Sequence, residues 1–197
     1  MKNIIISDLY YKYDDSSFKL GPLNEQIPLH KLVLFKGHNG SGKSTLGKIL
    51  ANDFKPIKGT IKNLPSKVFY YNQDTSNTTF ENLKVKEHLQ LIDSLKEKFV
   101  FAELIPLFNK YPDELSGGEK QLLGFNTMLG MEFDLIIFDE LFNHLDFAVT
   151  KKILFYLKDE LLKNNKSIII IAHNIEQYLE FFDVIFEFKD GIIYNEK

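Results

Sequence analysis

Gly37-His38-Asn39-Gly40-Ser41-Gly42-Lys43-Ser44 is the stretch whose reading decides the fold. It fits the pattern G-x-x-x-x-G-K-[ST], follows an apolar run that reads as a strand, and opens a segment that reads as a helix, the context the pattern requires. Glycines let the backbone turn tightly, so successive N–H groups converge on anionic oxygens. The helix that begins near Lys43 adds the positive end of its dipole. Lys43 is placed to reach the outer phosphates of a nucleotide, and the Ser44 hydroxyl to ligate Mg²⁺. The expected phosphate-binding residues are Gly37, Asn39, Gly40, Ser41, Gly42, Lys43, Ser44 and Thr45.

Outward from this loop, short apolar runs alternate with helix-like segments. Strands are expected over 4–6, 32–35, 68–71, 135–138, 168–171 and 184–188, and helices over 44–52, 147–163 and 175–181. That alternation predicts an α/β domain, a P-loop core with a largely parallel sheet whose ligands bind at the carboxyl ends of the strands. Residues 8–20 and 24–29 alternate and turn like antiparallel strands, which predicts an amino-terminal antiparallel β subdomain. From about 85 to 111 two helical segments punctuated by Pro106 and Pro112 predict a helical insertion. The length of 197 residues suits a single domain over 1–197, with the helical subdomain at about 80–130.

A second constellation is Asp134-Leu135-Ile136-Ile137-Phe138-Asp139-Glu140, an apolar strand ending in two carboxylates. In a P-loop fold such a strand ends beside the phosphate loop. Asp139 can then hold the Mg²⁺ shell, and Glu140 can take a proton from an attacking water. Carboxylates at strand ends are often simply solvated, so the pair gains its meaning from the loop. Together they point to nucleotide hydrolysis and leave P-loop kinases and GTPases open.

The segment Leu115-Ser116-Gly117-Gly118-Glu119-Lys120-Gln121 resembles the signature of ABC ATPases, usually written LSGGQ. A serine and two glycines at a helix start make a second anion-binding device, with free N–H groups expected. The resemblance spans essentially the whole chain and implies further roles. Gln73 matches the glutamine that contacts Mg²⁺ and the attacking water, Asp146 the aspartate of the D-loop, and His173 the switch histidine at the γ-phosphate. Tyr13 matches the aromatic that stacks on adenine, with Tyr11 the alternative. Members work as head-to-tail dimers in which Ser116, Gly117, Gly118 and Glu119 of one copy face the phosphate loop of the other, with ATP and Mg²⁺ between them. The second copy is identical or a different ABC cassette. Glu119 stands where glutamine is usual, Leu122 where many relatives carry arginine, Leu141 where many carry proline, and Asn143-His144 where the D-loop usually has small residues.

Bulk properties narrow the function. All 24 basic residues are lysines, so the chain has no arginine finger to offer, and transition-state charge falls to lysine, backbone N–H groups, polar groups and metal. A net charge of -3 gives no footing for nucleic acid, and the absence of cysteine excludes disulfides and thiolate metal sites. The amino terminus is too short and mixed for a signal peptide, and no apolar run approaches the roughly 18–20 residues of a membrane span. The resemblance therefore implies a cytoplasmic ATPase motor attached to the inner face of the cell membrane through a separate transmembrane permease. The alternative is a soluble ABC ATPase acting in assembly, repair or translation. Such proteins tend to carry coiled-coil insertions, two cassettes in one chain or basic segments, and none is visible here. The chain ends soon after a strand pair around Gly191, so no regulatory carboxyl-terminal domain is expected. The run 99–108 is expected to serve the core of the helical subdomain rather than permease docking, and His30, His38, His88 and His144 show no metal-ligand pattern.

Overall fold

The computed structural model describes residues 2–72, 82–93, 101–129 and 131–195. The described residues gather into two compact units, one from Met1–Tyr71, Phe133–Leu141 and Phe147–Lys197, the other from Asn72–Glu132 and Phe142–Asp146.

In the first unit, runs too apolar to face water form the centre of a sheet. β3 (Leu32–Gly37), β6 (Leu135–Asp139) and β7 (Ser167–Ala172) are flanked by β5 (Val68–Tyr71), β8 (Val184–Lys189) and β9 (Ile192–Asn195) in the order β5-β6-β7-β3-β8-β9. All pairings from β5 through β8 are parallel, and β9 closes the edge antiparallel to β8. Every residue of β6 and β7 is buried, as continuous β-branched and aromatic runs require when both sheet faces are covered. Helix α1 (Lys43–Leu50) turns Leu46, Ile49 and Leu50 inward and packs across β3, β5, β6 and β7.

A separate three-stranded antiparallel sheet has the order β2-β1-β4, from β1 (Asn3–Lys12), β2 (Lys19–Pro28) and β4 (Lys58–Lys62). Strict alternation buries Ile4 and Ile6, then breaks. Between Ile6 and Leu9 the register slips by one residue, where Asp8 takes φ 48° and its N–H donates to Asn24 Oδ1 at 2.9 Å. This bulge returns Leu9, rather than Asp8, to the core. β4 has no counterpart in the expected elements. It is a largely exposed edge of Lys-Gly-Thr-Ile-Lys, whose polar residues suit an edge and give no apolar signal.

Two expected helices are present, in geometries that the sequence does not specify. The segment expected over 147–163 is α-helical only as α4 (Phe147–Tyr156), then widens into a π turn over Leu157–Leu161. The segment expected over 175–181 is a 3₁₀ helix, Glu176–Phe181. It follows Asn174, at φ 53°, and Lys158 Nζ donates to its terminal Phe181 carbonyl at 2.8 Å.

The second unit holds α2 (Val85–Asp93), a 3₁₀ segment Ala102–Leu107 and α3 (Gly117–Leu129), which pack on one another. From the run 99–108, Phe101, Leu104 and Leu107 are buried and Ile105 is exposed. His88 is buried too, its Nε2 2.7 Å from Thr127 Oγ1. Thr127 donates to the Leu123 carbonyl, so His88 Nε2 donates to Thr127, and burial lowers the His88 pKa.

Candidate nucleotide-binding site

β3, β6 and β7 lie side by side and parallel, so their carboxyl ends deliver three loops to one edge of the sheet. Gly37 through Gly42 follow β3, Glu140 follows β6 and His173 follows β7.

The phosphate loop has its backbone turned as the pattern demands: Gly42 precedes α1 at φ 109°, a left-handed conformation disfavoured for residues with a side chain. The loop is braced from outside, because Gly191 in the β8–β9 turn donates its N–H to the Ser41 carbonyl at 3.1 Å. Asn39 and Gly40 are exposed at the tip. Lys43 is buried and its ammonium donates to the Gly37 and His38 carbonyls at 2.8 and 2.9 Å. Burial pushes its pKa down, and the nearby Asp139 and Glu140 carboxylates oppose that shift. The Ser41 hydroxyl is fully buried and has no partner. A buried polar atom without a bond is costly, and a phosphate oxygen would satisfy it.

The acidic strand reaches the same place. Asp139 is buried, accepts a hydrogen bond from the Tyr70 hydroxyl on Oδ2, and leaves Oδ1 buried without a partner. The Ser44 side chain lies near the Tyr70 hydroxyl too. Burial, with the Asp139 carboxylate beside it, pushes the Tyr70 phenol far above its ordinary range, so it stays a donor. An orphaned carboxylate oxygen beside a serine hydroxyl is a donor set that suits a hard divalent cation such as Mg²⁺. Glu140 takes φ 58° and donates its N–H to Ile171 on the neighbouring strand at 2.9 Å, while its Oε1 lies 3.4 Å from His173 Nδ1.

Tyr13 is half-buried, its hydroxyl 3.0 Å from Thr45 Oγ1 at the first turn of α1. Tyr11 stacks flat on Phe54 at 5.4 Å, so one face of that ring is covered, whereas Tyr13 meets Tyr11 and Phe54 edge-on.

In the second unit, Ser116 caps α3 through a reciprocal box. Glu119 donates its N–H to Ser116 Oγ at 3.3 Å, and Ser116 donates its N–H to Glu119 Oε2 at 2.7 Å. This corrects the expectation of free N–H groups in part: those of Ser116 and Glu119 are taken, and the first-turn donors of Gly117 and Gly118 are the pair without helical partners. A side chain at Gly118 would sit 2.5 Å from the His144 carbonyl, which binds this segment closely to the turn that carries Asp146. Asp146 itself is exposed. Gln73 lies outside the described residues.

Sequence reading did not single out Tyr70 or Gly191. Tyr70 reads as one more aromatic in a strand, and Gly191 as a hairpin glycine; only three-dimensional proximity gives either a role at the site.

Comparison with known proteins places the chain in a family and matches its fold. The family model described as ABC transporter matches residues 20–143. An energy-coupling factor transporter ATP-binding protein, EcfA1 of Mycoplasmopsis pulmonis, is 35% identical over 90% of this chain and 76% of its own length. The corresponding EcfA of Malacoplasma penetrans is 30% identical over 95% and 73%. Among solved structures, cbiO1 from Clostridium perfringens, part of the ABC transporter complex cbiONQ, is 25% identical with a TM-score of 0.77, covering 97% of this chain and 86% of that one. The bacterial ABC transporter cassette MJ0796, described as dimeric, shares the fold at 21% identity and a TM-score of 0.76, covering 98% of each chain.

A phosphate loop, an acidic strand end and a histidine on three adjacent parallel strands define a nucleotide-hydrolysing P-loop protein. The chain belongs to the ABC transporter family of ATP-binding proteins and is an ABC ATPase. Among the described residues no helix is long and apolar enough to cross a membrane.

Proposed function

We propose that this chain, as one ABC cassette, binds and hydrolyses ATP with Mg²⁺ at the edge formed by β3, β6 and β7, and drives a separate transmembrane permease from the cytoplasmic face. The observation that carries the reading is the convergence of Lys43, Asp139, Glu140 and His173 at that edge. The relatives named as energy-coupling factor transporter proteins favour a transporter of that kind.

ATP would draw the Lys43 ammonium off the Gly37 and His38 carbonyls and onto its outer phosphates. Backbone N–H groups from Gly37 to Thr45 and the buried Ser41 hydroxyl complete the cradle. Ser44, Asp139 and Gln73 would hold Mg²⁺, which supplies charge neutralisation at the phosphates when bound. Glu140 orients and deprotonates the attacking water, His173 holds the Glu140 carboxylate and faces the γ-phosphate, and Tyr13 stacks on adenine. The Gly117 and Gly118 N–H groups and the Ser116 hydroxyl would serve the site of a second cassette, which answers the lack of arginine, with Asp146 at the same interface. The dimeric description of MJ0796 supports this arrangement. ATP can move a partner only by binding the closed pair more tightly than the open one.

Affinity purification of the tagged chain from membranes tests the reading. A polytopic membrane protein should co-purify, and the complex should hydrolyse ATP in Mg²⁺. ATPase activity confined to a soluble fraction without any membrane partner would refute the transporter role.

A further inference from the structure

The cation site contains a group that the phosphate loop and acidic strand do not account for. Tyr70 stands on β5, paired with Ile137 of β6, and its ring lies against α1 where Gly47 leaves space: a side-chain carbon there would come within 2.8 Å of Tyr70 Cε2. Wedged between the sheet and α1, the ring has little freedom to turn. Its hydroxyl donates to Asp139 Oδ2, and the Ser44 side chain lies near it. One phenol thus ties β5 to Asp139, the carboxylate of the cation site.

We propose that Tyr70 is a positioning residue of the cation site, its hydroxyl fixing Asp139 Oδ2 so that the buried, unpartnered Oδ1 is the oxygen presented to the cation and its waters. This rests on the nucleotide-hydrolysing reading above and deepens it. A carboxylate with neither oxygen held can rotate or attract Lys43. Held by one oxygen, it keeps a fixed direction for the other. Groups that orient metal ligands in this way typically change metal affinity by about 10–100-fold when removed. Tyr70 makes no contact with the nucleotide in this scheme, so its effect passes through Asp139 alone.

The test uses the full chain and a non-hydrolysable ATP analogue, with affinity measured by calorimetry in EDTA and again in Mg²⁺. The readout is the ratio of the two dissociation constants, the tightening that the cation confers. Tyr70→Phe keeps the ring and removes only the hydroxyl. It should reduce that ratio by about 10-fold while leaving affinity in EDTA within about twofold. Asp139→Asn should reduce the ratio as well, and adding Tyr70→Phe to it should cause no further loss, since both act through one carboxylate. An unchanged ratio in Tyr70→Phe, equal weakening with and without Mg²⁺, or additive losses in the double variant would each overturn the proposal. If the unaltered chain fails to bind the analogue, the nucleotide reading falls and this proposal with it. Binding of the analogue with an unchanged ratio in Tyr70→Phe overturns the role of Tyr70 alone.

Discussion

The Nδ1 of His173 lies 3.4 Å from the Oε1 of Glu140. The two side chains come from adjacent parallel strands, and each remains about one-third exposed, Glu140 at 32% and His173 at 31%. A carboxylate steered by a histidine and partly exposed is arranged to receive a proton from water.

Glu140→Gln should leave ATP binding intact and lower turnover by about 10²–10⁴-fold, the usual contribution of a general base. With ATP the variant should run as a dimer in size-exclusion chromatography. Steady-state hydrolysis at the normal rate would remove Glu140 from the role of base.

Lys43→Ala should weaken ATP binding by about 10–100-fold, since hydrogen bonds to charged groups contribute about 1.5–3 kcal/mol. Calorimetric titration is the direct check. Unchanged affinity would count against the phosphate-loop assignment, whatever happened to turnover.

Glu119→Ala should destabilise the chain by about 1 kcal/mol through loss of the cap on α3. Glu119→Gln should lose less, because an amide oxygen can still accept the Ser116 N–H. Thermal unfolding of the two variants side by side separates capping from charge; equal destabilisation would show that the hydrogen bond is not the source.

Burial lowers the pKa of His88, so the folded chain resists protonating it while the unfolded chain binds a proton below about 6.5. Stability from this residue is complete above that value and declines as pH falls through it toward the folded-state pKa. Between about pH 6.5 and 5 the decline should be at most about 1.4 kcal/mol per pH unit. In urea unfolding series, His88→Gln should be less stable overall and should flatten this slope. An identical slope would place the acid sensitivity elsewhere.

Much of the fold was legible because its strands are extreme. β6 and β7 are apolar over almost their whole length, and only burial on both faces suits such runs. β4 was invisible for the opposite reason: an exposed edge needs no apolar residue. The π turn after α4 and the 3₁₀ geometry of Glu176–Phe181 were not legible, because apolar periodicity marks a helix without fixing its hydrogen-bond pattern. The phosphate loop and the acidic pair are contiguous in sequence and were readable as units. Tyr70 was not, because its role depends on Gly47 being small and on Asp139 lying one strand away. The cap formed by Ser116 and Glu119 spans four residues. It was within reach of the S-x-x-E pattern, and a Ser-capped helix is the ordinary reading of those residues.

The ammonium of Lys43, resting on the Gly37 and His38 carbonyls, acts as a resident tenant of the cradle. Any incoming nucleotide must offer it something better than two peptide oxygens. On the proposed reading, a nucleotide whose phosphates are too few to reach Lys43 should therefore bind more weakly than a triphosphate bearing the same base.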